Sequence, residues 1–249
     1  MRRALLLLVL TAVALAVLAP AWLLGRGVQE RSGGLVELRK MSGTIWNGEA
    51  DAIVRARTAS EHEILLGRIA WRVDQVDWQH RALTMAVHQT PAGPRPATIA
   101  LGADHVRFAG SARLPASIAG RVRLLAGWTI AGEVVVDTDA LEWADGAGTG
   151  TATAIWRDAI LIPPDLPGGF ALGEVTARVV LEGTALAVSV RNSGGAIDLT
   201  GDGSSRAGTV TLLLQPHAGA SSAQLAWLQS HTMGRTARGY AIDAGWPGR

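Results

Sequence analysis

The residues of this chain best able to do chemistry are four histidines and three carboxylates. His80 and His88 fall on one face of an alternating run, and with His62 or His105 they could offer imidazoles to a metal. Asp137, Asp139 and Glu142 could offer the oxygen ligands that calcium takes. The patterning around each set argues otherwise. The histidine face also carries Thr84 and Ala86 and lies opposite Leu83, Met85 and Val87, as the wet side of a half-buried strand does; Asp137 and Asp139 alternate with Val134, Val136 and Ala140 in the same way. Covalent chemistry lacks its parts. There is no Gly-x-Ser-x-Gly elbow, His-Glu-x-x-His pair, Walker loop or helix-opening Gly-x-Gly-x-x-Gly, and with no cysteine there is no thiolate nucleophile, disulfide or thiolate-held metal. The fragment Gly201-Asp202-Gly203-Ser204-Ser205 falls between two strand-like runs and reads as a hairpin turn. The expectation is a protein that is not an enzyme, with no catalytic residues, no cofactor and no metal site.

The elements that would position any site are strands. From Glu174 to Glu182, Val175, Ala177, Val179 and Leu181 share one face while Thr176 and Arg178 share the other; a tight Glu182-Gly183-Thr184 connection leads into a second alternating run through Leu186, Val188 and Val190. Runs of the same period occur at 50–56, 68–73, 81–88, 130–140, 196–200 and 209–214. Only Ser222–Met233 reads as a short helix, with a serine to cap it and Gly234 to stop it, while Leu114–Leu125 is ambiguous because Pro115 suits a helix start and Gly120 sits mid-segment. The segments 91–96, 145–150 and 163–169 are rich in Pro or Gly and read as turns or mobile connections. The fold class expected is mainly β: an N-terminal transmembrane helix followed by a periplasmic antiparallel β-domain, a curled sheet or open sandwich, with one or two short helices.

The transmembrane reading rests on Ala4–Leu24, which carries no charge and follows Arg2 and Arg3. As a helix, such a run would span roughly 31 Å, the thickness of a bilayer's hydrocarbon core. A cleaved secretory signal competes with it, since Ala19-Pro20-Ala21 has the small-x-small form a signal peptidase accepts. Either way the basic N-terminus stays cytoplasmic and the rest lies outside. The chain accordingly divides into residues 1–26 as n-region and anchor, 27–39 as linker, and 40–249 as the β-domain. The formal net charge is only +2 and the arginines are scattered, so nucleic acid is not an expected partner.

Nine of the twelve aromatic residues are Trp, and several close runs that begin with glycine: Gly43-Thr44-Ile45-Trp46, Gly67 to Trp71, and Gly150 to Trp156. One explanation is structural, with Gly permitting a tight turn and Trp plugging a sheet edge. The other is that Trp at strand ends forms an exposed patch for a partner or a membrane surface.

An N-terminal anchor, then Ser42-Gly43-Thr44-Ile45-Trp46-Asn47-Gly48, then Leu66-Gly67-Arg68-Ile69-Ala70-Trp71, resembles the type II secretion system protein N family, also called general secretion pathway protein N. The likeness continues through Gly132 to Val136, Leu141 to Gly146, Trp156 to Ala159, Asn192-Ser193-Gly194-Gly195 to Gly201, and Gly239-Tyr240-Ala241-Ile242. Two segments depart from the family pattern, Met233 to Thr236 and the proline-rich 91–96. The family-motif positions are Gly43, Thr44, Trp46, Gly48, Gly67, Trp71, Trp156, Gly194, Gly195, Gly201, Gly239 and Tyr240. The resemblance implies a non-enzymatic accessory part of a Gram-negative protein-export machine, single-pass in the inner membrane, with a periplasmic domain and other secretion subunits and the lipid bilayer as partners. A different class of function stays open: an inner-membrane-tethered, lipid-handling β-groove, if the apolar sheet face proves uncovered.

Overall fold

The computed structural model describes residues 17–55, 63–79, 81–102, 104–117, 127–232, 235–236 and 239–245. The chain divides into two compact units, the first comprising residues 1–92 with 96–103 and the second 93–95 with 104–249.

The first unit contains α1 (Trp22–Arg31), β1 (Val36–Gly43), β2 (Asn47–Val54), β3 (Ile64–Asp77), β4 (Ala82–Thr90) and β5 (Ala97–Leu101). Its strands lie side by side in chain order and every pairing is antiparallel. The period-two pattern decides which face is dry: Ala50, Trp71 and Met85 are buried, with Ile69, Val73, Leu83 and Val87 packed around them. Helix α1 lies on that face. Ala21 and Leu24 join the apolar cluster, and Gly25 lets the helix backbone approach so closely that a Cβ there would sit 2.5 Å from the Met41 sulfur.

The second unit contains β6 (His105–Pro115), β7 (Thr129–Ala144), β8 (Ala147–Ile162), β9 (Phe170–Gly183), β10 (Ala185–Ser193), β11 (Ile197–Ser204), β12 (Thr209–Pro216), α2 (Ser222–His231), β13 (Arg235–Thr236) and β14 (Gly239–Gly245). Neighbours again follow chain order and are antiparallel, except that β14 pairs directly with β12 and β13 lies outside it. Helix α2 is specified locally. Ser221 accepts a hydrogen bond from the Gln224 amide while the Gln224 side chain accepts one from the Ser221 amide, a reciprocal cap that satisfies two otherwise orphaned donors. Leu228 and Ile197, both fully buried, mark where α2 meets the sheet.

The mainly antiparallel β reading holds, and each strand run read from the sequence forms a strand. In each unit a short helix packs on the apolar face of an open antiparallel sheet. The described part of the N-terminal segment is held to the sheet from residue 19. Val17 is helical, but the chain leaves the helix at Leu18, and Pro20 forms a bridge to Thr44 of the β1–β2 turn. The Ala19 carbonyl accepts a hydrogen bond from the Ile45 amide, and the Ala21 amide donates to the Gly43 carbonyl. Residues 19–24, read as part of a membrane span, are thus seated on the sheet, because a proline interrupts the helical hydrogen bonding and the apolar face of β1–β4 offers Ala21 and Leu24 a place to bury. No helix among the described residues is long and apolar enough to cross a membrane; residues 1–16 lie outside the description. The stretch 27–39, expected as a linker, carries the end of α1 and the start of β1.

Three further readings change. Residues 147–150 belong to β8, where Gly148 lies beneath the Leu181 side chain and Gly150, at φ +129, sits against the Ala140 carbonyl at a bulge, so these glycines serve strand packing. Gly201–Ser204 complete β11, and the turn falls at residues 205–208. Leu114 and Pro115 end β6, while residues 118–126 of the ambiguous helix lie outside the description.

Candidate functional site

The family-motif positions separate into two constellations. In the first unit they converge on the β1–β2 turn. Gly43, at φ +87, has no room for a Cβ against the Asn47 carbonyl, and the Thr44 hydroxyl accepts hydrogen bonds from the Trp46 and Asn47 amides. Trp71 is 3% exposed and donates its indole N–H to the Ile45 carbonyl at 3.2 Å, plugging the turn from below; Gly48 leaves space for its ring, which would lie 2.5 Å from a Cβ. Trp46 is half-buried and its carbonyl accepts from the Val73 amide. Gly67, at φ +119, lies at the β2–β3 register shift against the Thr90 carbonyl. Five of the six positions surround the β1–β2 turn, and Gly67 serves the bulge further along β3.

In the second unit, Trp156 donates to the Ala131 carbonyl at 2.9 Å, and Gly194 and Gly195, at φ +80 and +91, form the β10–β11 turn. Asn192, missed as a candidate, organises that turn. Its amide donates to the carbonyls of Leu172 and Ile197 at 2.8 and 2.7 Å, and its oxygen accepts from the Leu199 amide at 2.6 Å. Gly201 is buried beneath Leu212, Gly239 passes close to the Leu214 carbonyl, and Tyr240 lies in the core. Trp71 plugs its turn as the structural explanation expects, and Trp46 and Trp156 are half-buried. Among the described residues the exposed tryptophans are Trp22, Trp78 and Trp143, at 55%, 81% and 50%.

The residues first considered for metals do different work. Asp137 and Asp139 receive the Arg95 guanidinium at 2.8 and 2.9 Å, while the third Arg95 hydrogen bond goes to the Thr138 carbonyl. Ser111, 3% exposed, exchanges hydrogen bonds with the Arg95 backbone at 2.7 Å. The proline-rich 91–96 segment, read as a turn or mobile connection, is thereby clasped to β6 and β7. Glu142 is exposed on β7 and His88 on β4; His105 pairs with Asp104, whose carboxyl that hydrogen bond holds below its ordinary value. His62 and His80 lie outside the described residues. Among the described residues no group of His, Asp and Glu is arranged to hold a metal ion.

The described residues of the second unit form two concavities. Beneath α2 is a space of about 80 Å³ lined by apolar side chains alone, among them Trp128, Leu161, Phe170, Leu199, Leu212 and Trp227. Trp227 is its lid: it meets Trp128 and Phe170 edge to face with centroids 5.5 and 5.3 Å apart, stacks on His231 at 4.5 Å, and donates to Asp165 at 2.8 Å. That indole hydrogen bond is the main reason the Asp165 carboxyl titrates below its ordinary value. On the opposite, polar face is an open groove of about 460 Å³ lined by Thr153, Thr176, Arg178, Ser189, Arg191, Thr200 and Asp202. Alternation places Thr176 and Arg178 there while Val175, next to Thr176 on β9, is buried in the core; Val190 both lines the groove and packs against the core cluster.

No arrangement of nucleophile, base and orienting group accompanies either concavity, and what the described surface offers is backbone edges and side-chain patches. A family model described as type II secretion system (T2SS), protein N, matches residues 34–230. The chain belongs to that family. The match contains every motif position except Gly239 and Tyr240, and it begins inside α1–β1 of the first unit. Searches of curated proteins and of solved structures find no match. The T2SS protein N family is a structural component of the secretion machinery of the Gram-negative envelope, and no catalytic family is indicated.

Proposed function

We propose that this T2SS protein N chain is a non-enzymatic accessory component, tethered at the inner membrane, that contacts other periplasmic parts of the machine through a free sheet edge during export of folded proteins. The observation that carries the reading is β14. It pairs with β12 from Tyr240 to Gly245, but on its other side β13 reaches only Gly239 and Tyr240, so among the described residues Ala241–Gly245 present an unpaired edge. Such an edge accepts a further strand through main-chain hydrogen bonds. In the first unit the edge strand β1 is guarded: it is interrupted by a bulge between Arg39 and Ser42, with Lys40 at φ +48 and its side chain 84% exposed. The packing of Trp227 and Leu228 from α2 into the apolar cluster of the second unit favours this reading over a lipid-handling groove.

The test uses the alternation of an antiparallel strand, in which successive amides point to opposite neighbours. Of Ala241→Pro and Ile242→Pro, one removes a hydrogen bond to β12 and the other removes an outward amide. The outward variant is expected to keep its thermal midpoint and lose secretion of folded substrates to the medium, with inner-membrane passage intact. Normal secretion by that variant would overturn strand addition, and normal secretion by a full deletion in a host with a working type II system would overturn the accessory role.

A further inference from the structure

We infer that the polar groove of the second unit receives an extended acidic segment of a protein partner, with carboxylates at alternate positions held by Arg178 and Arg191. This second contact surface is separate from the β14 edge, with β12 between them, and does not depend on it. The groove, about 460 Å³ and open to solvent, crosses β8 to β11. Register sets its floor: Thr153, Arg178, Ser189 and Asp202 form one cross-strand row, and Thr176, Arg191 and Thr200 form the next. Arg178 and Arg191 are therefore diagonal neighbours on β9 and β10, about 7–8 Å apart at the backbone.

The two arginines lack a counter-charge. In the same unit Arg95, Arg113 and Arg157 face carboxylates at 2.8, 2.7 and 3.9 Å, whereas no hydrogen bond or ion pair joins the Arg178 or Arg191 side chain to any described residue. Both are exposed, so two like charges stand side by side in a concave, hydroxyl-bearing surface and attract an anion. Asp202, diagonal to Arg191 on β11, repels that anion and directs it toward β9. Alternate side chains of an extended peptide project to one side about 6.6 Å apart, close to the spacing of the two arginines, whose long side chains take up the remainder. Each guanidinium can then fork onto one carboxylate, with the hydroxyls of Thr176, Ser189 and Thr200 available to the peptide's main chain. Val190 is the one aliphatic side chain in the lining, which favours a peptide over a lipid with its acyl chains.

The test is fluorescence anisotropy with the full-length protein in detergent and a dye-labelled peptide, Thr-Glu-Thr-Glu-Thr. Its isomer Thr-Glu-Glu-Thr-Thr has the same composition and charge but sends its two carboxylates to opposite sides when extended. Expected is saturable binding of the first peptide and about tenfold weaker binding of the isomer. Arg178→Gln and Arg191→Gln should each weaken the first peptide about tenfold, and Asp202→Asn should tighten it. The control is Arg107→Gln, an exposed arginine on β6 that also lacks an ion pair but lies outside the groove, and it should change nothing. Because neither groove arginine has a partner to lose, thermal midpoints should stay at the parent value, which separates lost binding from lost folding. Equal binding of both peptides would make the groove a general anion surface and overturn the extended occupant. Binding indifferent to Arg178 and Arg191, or no binding, overturns the site. The outward proline variant of β14 should bind the peptide as the parent does, so failure of strand addition and failure of the groove are read separately.

Discussion

Each unit lays one helix on the apolar face of an antiparallel sheet, yet α1 and α2 are held there by different means. Helix α2 has a complete capping box and drives Trp227 and Leu228 into a cluster with Phe170, Leu172 and Ile197. Helix α1 starts at Ala21 with no side-chain cap, has no acidic residue in its first turn, and meets the sheet through Ala21, Leu24 and Gly25. Fewer large side chains are fully buried in the first unit, where Trp71 and Met85 stand out, than beneath α2. A helix encoded by its own caps and bulky residues is stable wherever its face can be buried. A helix without a cap, meeting the sheet mainly through Ala21, Leu24 and Gly25, is fixed by tertiary contacts, here the β1–β2 turn that grips residues 19–21. The second unit is therefore locally determined at its helix, and the first is determined by closure of the chain onto one turn.

The largest effect expected is at that turn. Trp71→Ala removes the plug and one hydrogen bond, and should cost about 3–5 kcal/mol in urea unfolding together with a loss of secretion. Full stability with lost secretion would instead make Trp71 a contact residue. Leu228→Ala, fully buried under α2, should cost about 2–5 kcal/mol; a smaller loss than at Trp71 supports the first unit's dependence on one plug. Gly25→Leu should cost about 1–3 kcal/mol by forcing α1 off Met41, and proteolysis should then cut between residues 19 and 31 before the sheet opens. Ser221→Ala should cost about 1 kcal/mol and lower helix content only in α2, because α1 has no equivalent cap to lose.

The smallest effect is acid-dependent. The Asp165 carboxyl is held below its ordinary value by the Trp227 indole, with His231 adding a smaller attraction, so its contribution is present above the ordinary carboxylate value of about 4 and is lost as the pH falls through its lowered value. Asp165→Asn should flatten the fall of the thermal midpoint in acid while leaving the first unit unchanged. An identical pH profile in the variant would show that Trp227 is held by its aromatic neighbours alone.

The period-two alternation was legible because burying one face of a sheet requires it, and it located β2 to β4, β7 and β9 to β12, whereas β5 and β6 were not read and the start of β8 looked like a loop. The α2 cap was legible because its two residues stand three apart in the chain. Family membership could be read from the order of the glycine and tryptophan motifs, and it matches residues 34–230. Other features depend on contacts between residues far apart in the chain. The Arg95 clasp joins residues more than forty apart, so Asp137 and Asp139 alone looked like a bare wet face. Gly148 and Gly150 looked like a loop because nothing local reveals that Leu181 and Ala140 will press against them. Ala4–Leu24 looked like one continuous span, since hydropathy cannot register that the Gly43 and Ile45 backbone groups offer residues 19–21 better partners than a longer helix. Local propensity and burial period are properties of neighbouring residues and are written in sequence order; register, close approach and the capture of a terminus are set only when distant segments meet.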